Sequence, residues 1–208
     1  MKGFKKYLPI LIFVLAIVLD QWLKVYVKLN FTLGESKHIF DWFYISFIEN
    51  PGMAFGMSLG SKLFLTIFRL IASVAIVVYI IWLVRHKYSA GFVVVMTMIL
   101  AGAVGNLFDC VFYGQIFTES TYYQTSQLCS FGSGYAPLFM GKVVDMFYFP
   151  LFTFPDWMPL VGGEVFFSPI FNLADSYITV SVIVLIIFYA RQFGKSLDAI
   201  FPSKKKDK

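Results

Sequence analysis

Asp145, in GKVVDMFYF, and Asp175, in FNLADSYITV, are carboxylates set in almost wholly apolar surroundings. An ionised side chain there costs free energy unless it is paired or used. Two carboxyl groups brought together in a poorly hydrated pocket cannot both ionise easily, so one keeps a proton while the other is a base. The charged member can activate water and the protonated member can polarise a carbonyl. That is the chemistry of amide hydrolysis without a metal or a covalent intermediate. Periodicity alone does not bring the two acids into contact; the elements that carry them must do so.

Those elements are membrane spans. The chain has 208 residues, is 59% hydrophobic and 20% aromatic, and is only 14% charged, too apolar for a soluble domain of this length. Apolar stretches at about 7–29, 63–84, 92–113 and 171–190 each have roughly the 20 residues that a helix needs to cross the hydrocarbon core. The expected fold is therefore a membrane all-α architecture of four transmembrane helices in one domain, 1–208. The first stretch begins basic and then turns apolar like a signal peptide. Its apolar part is too long for one, and no small-x-small cleavage site precedes DQWLK, so it is expected to remain as a span.

Basic residues set the expected orientation. Lys2, Lys5 and Lys6 precede the first span, Arg85 and Lys87 follow the second, and Arg191, Lys195 and Lys204 to Lys206 follow the fourth. Both termini are then cytoplasmic, and the segments at about 30–62 and 114–169 face outward. The net charge of +5 fits this topology and contact with anionic lipid heads rather than nucleic acid. In the first outward segment, HIFDWFYISFIENPG is expected to form short strands with aromatics at the headgroup level, a small extracytoplasmic β-rich cradle. The second is a long outward loop in which FGSGYAP and FPDWMPLVGGE mark turns.

Depth then groups the polar residues. Asp20 lies about 20 Å along the first span at 1.5 Å per residue, and Lys24, four residues on, shares its face. Arg69 lies about 9 Å below the outer entrance of the second span. Asn106 and Asp109 fall near the outer end of the third, and Asn172 and Asp175 at the entrance of the fourth. Each has a local explanation: an Asp20–Lys24 ion pair, Asp175 as a helix N-cap, Asn106 as interhelical glue. Their shared level favours one polar site near the outer face. Cys110 and Cys129 form no metal-ligand pattern; a disulfide between them and two unpaired thiols both stay open.

The ordered series DQWLK, ENPGMAFG, GNLFD, VVDMF and FNLADSYI, spread over nearly the whole chain, resembles lipoprotein signal peptidase, also called signal peptidase II, a bacterial membrane aspartic peptidase family. The resemblance implies that Asp145 and Asp175 are the catalytic dyad and that Asp20, Lys24, Asn50, Gly52, Asn106, Asp109 and Asn172 support the site or contact substrate. It implies cleavage of diacylglyceryl-modified prolipoproteins just before the lipidated cysteine, in the bacterial inner membrane, with inhibition by globomycin. The expected partners are the prolipoprotein and membrane lipids, with no nucleic acid, no cofactor and a monomeric state. Two features depart from the family pattern. Cys110 stands where many relatives carry arginine, a charge that Arg69 could supply instead from a similar depth; the alternatives for Arg69 are snorkelling or pairing with Asp109. The stretch at 115–142 is longer than the usual link. Two other classes fit intramembrane acids: a proton-coupled carrier, which requires polar residues at several depths, and a helix clamp using small residues such as AGAVG, which requires no dyad. The apolar cytoplasmic halves of the spans argue against the carrier.

Overall fold

A computed structural model describes residues 4–52 and 62–202. Lys2, the MAFG part of ENPGMAFG and Lys204 to Lys206 lie outside them. Among the described residues, four helices are long and apolar enough to cross a bilayer. α1 (Phe4–Asn30) and α2 (Lys62–Arg85) are continuous. α3 (Ala90–Phe108) runs on through one π-helical turn, Asp109–Tyr113, into the short α4 (Gly114–Ile116). α5 (Leu173–Val184) passes through a second π turn, Leu185–Tyr189, into α6 (Ala190–Ile200). The fourth helix thus outruns its apolar stretch by ten residues, because Arg191, Gln192 and Lys195 are good helix formers that need no hydrocarbon around them.

The third span is central: α1, α2 and α5 pack around α3, and their other faces are left for lipid. Small residues make this possible. A Cβ on Gly102 would lie 2.3 Å from the Ala174 carbonyl oxygen, and one on Gly105 would lie 2.6 Å from Asp20 Oδ2. The backbones of α3 and α5 therefore meet directly at the head of the fourth span, as small residues allow between membrane helices.

Beyond the first span, β1 (Ser36–Phe40) and β2 (Phe43–Asn50) pair antiparallel, and β3 (Val143–Tyr148) adds to β2 to give a sheet of order β1-β2-β3. The register sets Ile48 opposite Asp145, Glu49 opposite Val144 and Asn50 opposite Val143. Residues directly opposite share a face and successive residues alternate, so Ile48, Asn50 and Asp145 look one way and Glu49, Val144 and Met146 the other. The second face closes on Val27 of α1, on Phe31 just past its end, on Tyr113, and on Phe117 just beyond α4. A second small hairpin, β4 (Phe152–Thr153) with β5 (Val165–Phe166), flanks the FPDWMPLVGGE turn.

The long 115–142 stretch is ordered against the end of the third span. Gly141 donates its backbone N–H to Cys110 O at 2.8 Å and Phe139 to Val111 O at 3.4 Å, satisfying carbonyls of the π turn. Cys110 and Cys129 are free thiols, so of the two states left open by the sequence the unpaired one holds. The reason is local: Cys110 is buried in the π turn facing Arg69, whereas Cys129 hangs on Gln115 O.

Candidate active site

Asp145 is buried on the sheet face that looks toward the heads of the spans. Its Oδ1 accepts from Asn172 Nδ2 at 2.6 Å and its Oδ2 from Asn50 Nδ2 at 3.2 Å. Asp175 stands in the first turn of α5, where the helix dipole favours negative charge. Its Oδ1 accepts from Asn106 Nδ2 at 2.8 Å and its Oδ2 from the Asn172 backbone N–H at 3.2 Å. The two carboxylates are thus joined through one residue, Asn172, whose side chain serves one and whose backbone serves the other.

The sequence allowed Asp175 to be the N-cap of the fourth helix; the cap is Asn172. Its Oδ1 accepts from Asp175 N at 3.0 Å while Asp175 reaches back to Asn172 N, a reciprocal capping box. One local device therefore fixes the fourth helix end and aims Asp175.

Three asparagines have their amide orientation set by partners. Asn106 Oδ1 takes Lys24 Nζ at 2.8 Å and Asn172 Nδ2 at 3.0 Å, so its NH₂ must face Asp175. Asn172 Oδ1 is occupied by Asp175 N, which turns its NH₂ toward Asp145. Asn50 Oδ1 takes the Gly52 N–H at 2.8 Å, leaving its NH₂ for Asp145. Gly52 holds φ +98°, a conformation that favours glycine, and so makes that turn possible.

Behind this row lies a buried charge cluster. Lys24 Nζ is 3.0 Å from Asp20 Oδ2 and 2.8 Å from Asp109 Oδ2, and all three side chains are essentially inaccessible. The expected Asp20–Lys24 pair is present as half of a triad. Asp20 Oδ1 accepts from Ala174 N at 3.0 Å, Asp109 Oδ2 accepts from Val144 N at 3.3 Å, and Gln21 Nε2 donates to Asp109 Oδ1 at 2.9 Å. The triad therefore ties α1 and α3 to the residues just before Asp175 and Asp145. Arg69 does not pair with Asp109: its Nη1 lies 3.1 Å from Cys110 Sγ.

The candidate site residues named from the sequence are gathered at one end of the helices. An open cleft of about 840 Å³ lies beside them, lined by Asn50, Gly52, Arg69, Phe171 and Asp175 among others. Burial and then the charge of Asp175 push Asp145 up to about 7, against the opposing effects of Asn50, Asn172 and Lys24. A carboxyl group raised to about 7 beside a second carboxyl that lines an open cleft has the makings of a general acid–base pair. Sequence reasoning missed Gln21, Lys28, Glu49, Ser120 and Lys142. Lys28 was signalled, since Asp20, Lys24 and Lys28 recur every four residues on one helix face.

A family model described as signal peptidase (SPase) II matches residues 12–191. The lipoprotein signal peptidase of Porphyromonas gingivalis is 47% identical over 190 residues, covering 89% of this chain and 84% of that one. That of Amoebophilus asiaticus is 38% identical over 185 residues, covering 83% and 73%. A solved bacterial membrane enzyme, 25% identical, is similar with a TM-score of 0.57 and covers 86% of this chain and 90% of its own.

Proposed function

The chain belongs to the signal peptidase II family, membrane proteases that remove signal peptides from prolipoproteins, and on that premise we propose that it does so as an aspartic endopeptidase using Asp145 and Asp175. The observation that carries this reading is the joining of the two carboxylates through Asn172, with Asp175 lining an open cleft and Asp145 buried behind it. Asp145, buried in the sheet and pushed up to about 7, is the member that carries the proton, and Asp175, at the helix N-terminus where the dipole favours negative charge, is the base. Asp175 takes a proton from water as the water oxygen attacks the scissile carbonyl, and Asp145 donates its proton to the carbonyl oxygen. Collapse of the resulting diol returns that proton to Asp145, while Asp175 passes its own to the departing amine. The amine belongs to the diacylglyceryl-modified cysteine, whose lipid remains in the bilayer beside the heads of the spans. Both carboxylates come from one chain, which supports a monomer as the working unit. The basic residues at the helix ends support an inner-membrane protein with cytoplasmic termini and its site near the extracytoplasmic face. Globomycin, a cyclic peptide, would compete for the same cleft.

Purified protein is to be incubated with a diacylglyceryl-modified prolipoprotein and release of the signal peptide followed. Absence of release, with a proton-driven flux in vesicles instead, would select the carrier. Because the acid must be protonated, kcat/KM should hold below neutral pH and fall about tenfold per pH unit once the pH climbs past the value near 7 set by the pair. A flat profile from about pH 6 to 9 contradicts the shared proton.

Arg69 supplies the positive charge on the cleft wall. Its guanidinium rests against residue 110, the place where the family pattern has arginine, and lines the same cleft as Asp175. There it can donate to substrate carbonyls. Arg69→Gln is expected to lower kcat/KM by about 10–100-fold, the scale of a charged hydrogen bond. Restoration by Cys110→Arg in the Arg69→Gln background would identify the charge as the missing element; full activity of Arg69→Gln would remove Arg69 from the site.

A further inference from the structure

The Glu49 side chain is buried, charged and unused by the chemistry above. On the face of β2 opposite Asn50, its Oε1 is held by Lys28 of α1 and accepts from Ser120 Oγ at 2.9 Å. Its Oε2 is 3.0 Å from Lys142 Nζ. Burial disfavours its charge, but Lys28 and Lys142 outweigh burial and hold Glu49 below the usual carboxylate range. Lys28 is itself enclosed, with Phe117 and Tyr135 ring centroids 5.4 and 5.0 Å from its Nζ. Ser120 and Lys142 both come from the 115–142 stretch, so the network pins the end of β2 between the first span and that insertion.

The position of this pin matters because β2 ends one residue later. Asn50 is its last residue, Pro51 has no N–H to continue the ladder, and Gly52 turns the chain away. Glu49 borders the cleft, but both its carboxylate oxygens are engaged by Lys28, Ser120 and Lys142, so its side chain is not free to meet substrate. What it can do is hold the strand end at the depth where Asn50 reaches Asp145. Resting on the dyad assignment, we propose that Glu49 is a positioning residue, and that Lys28, Ser120 and Lys142 lock it so that Asn50 meets Asp145 in a fixed geometry. The 115–142 insertion, which contributes two of the three partners, thereby completes the lock.

The titration of Asp145 reports on that geometry. The groups facing it are Asn50 from β2, Asn172 and Asp175 from the head of the fourth span, and Lys24 from α1, with Asp20 and Asp109 behind Lys24. The Asn50 contact favours the ionised form of Asp145, so loosening it moves the alkaline limb of the rate profile to higher pH.

Glu49→Gln is expected to lower kcat by about 10–100-fold with KM little changed, the scale on which misplacing a catalytic group by an ångström acts, and to shift the limb upward. Asn50→Ala should give the same shift, and the double variant should be no worse than Asn50→Ala alone. Ser120→Ala, a milder change that removes one donor, should shift the limb in the same direction and serves if Glu49→Gln does not fold. A limb unmoved in Glu49→Gln or, failing that, in Ser120→Ala overturns the proposal, as do losses that multiply in the double variant. Asp145→Asn measured beside them keeps the two questions apart: full activity there defeats the dyad, whereas a wild-type limb in the Glu49 and Ser120 variants defeats only the lock.

Discussion

Signal-peptide release should fall by about 10²–10⁴-fold or more when either Asp145 or Asp175 is replaced by asparagine, because each change removes a general acid or base from the same step. The replacement is nearly isosteric, which separates chemistry from folding. Asp145 accepts one amide donor on each oxygen, from Asn172 and Asn50, and Asp175 accepts from Asn106 and from the Asn172 backbone. An asparagine can serve only one of its two donors and turns an N–H toward the other. The cost is about 1–3 kcal/mol for a polar group left facing the wrong partner, set against a typical stability of about 5–15 kcal/mol. Each variant should therefore remain folded, with a modest drop in thermal midpoint, while its rate collapses. Since the two carboxyls act as a unit, the double variant should be scarcely slower than either single one. A rate within about threefold of wild type in either single variant, measured on folded protein, would take that aspartate out of the mechanism.

Depth was the property most legible in the sequence. Counting residues along alternating spans put Asp20, Lys24, Arg69, Asn106, Asp109, Asn172 and Asp175 near one level, and the structure gathers them at one end. Helical rise is regular, so position along a span converts directly to height. What counting could not give was azimuth and partner. Arg69 at the right depth meets Cys110 rather than Asp109, whose carboxylate is taken by Lys24 and Gln21 of α1. Asp145 was recognisable only as an acid among apolar residues. Its place on β3 depends on pairing with β2 across two intervening spans, and a strand's own alternation carries no information about so distant a neighbour. The same holds for Glu49: its partners are Lys28 of α1 and, far along the chain, Ser120 and Lys142 from the two ends of the 115–142 stretch, and the network exists only once the sheet has closed on α1. The fourth helix overran its expected end because hydropathy marks where lipid stops, not where helical hydrogen bonding does.

Lys24 is the residue whose loss should cost the fold most. Its ammonium lies 3.0 Å from Asp20, 2.8 Å from Asp109 and 2.8 Å from Asn106, out of reach of solvent. Lys24→Met keeps the volume and leaves two buried carboxylates facing each other without a cation, and breaking a buried ion pair from one side costs about 3–5 kcal/mol. The variant should show a large fall in thermal midpoint in detergent or bicelles. Replacing Asp109 by asparagine in that background removes one of the stranded charges; Asp20 keeps the Ala174 N–H and Gln21 as donors. The double variant should therefore be more stable than Lys24→Met alone, even though Asp109→Asn destabilises the wild type. Such a reversal of sign occurs only if the lysine is there to neutralise the acids. If the two losses simply add, Lys24 contributes by packing, and the triad does not hold α1 and α3 to the heads of β3 and α5 through its charge.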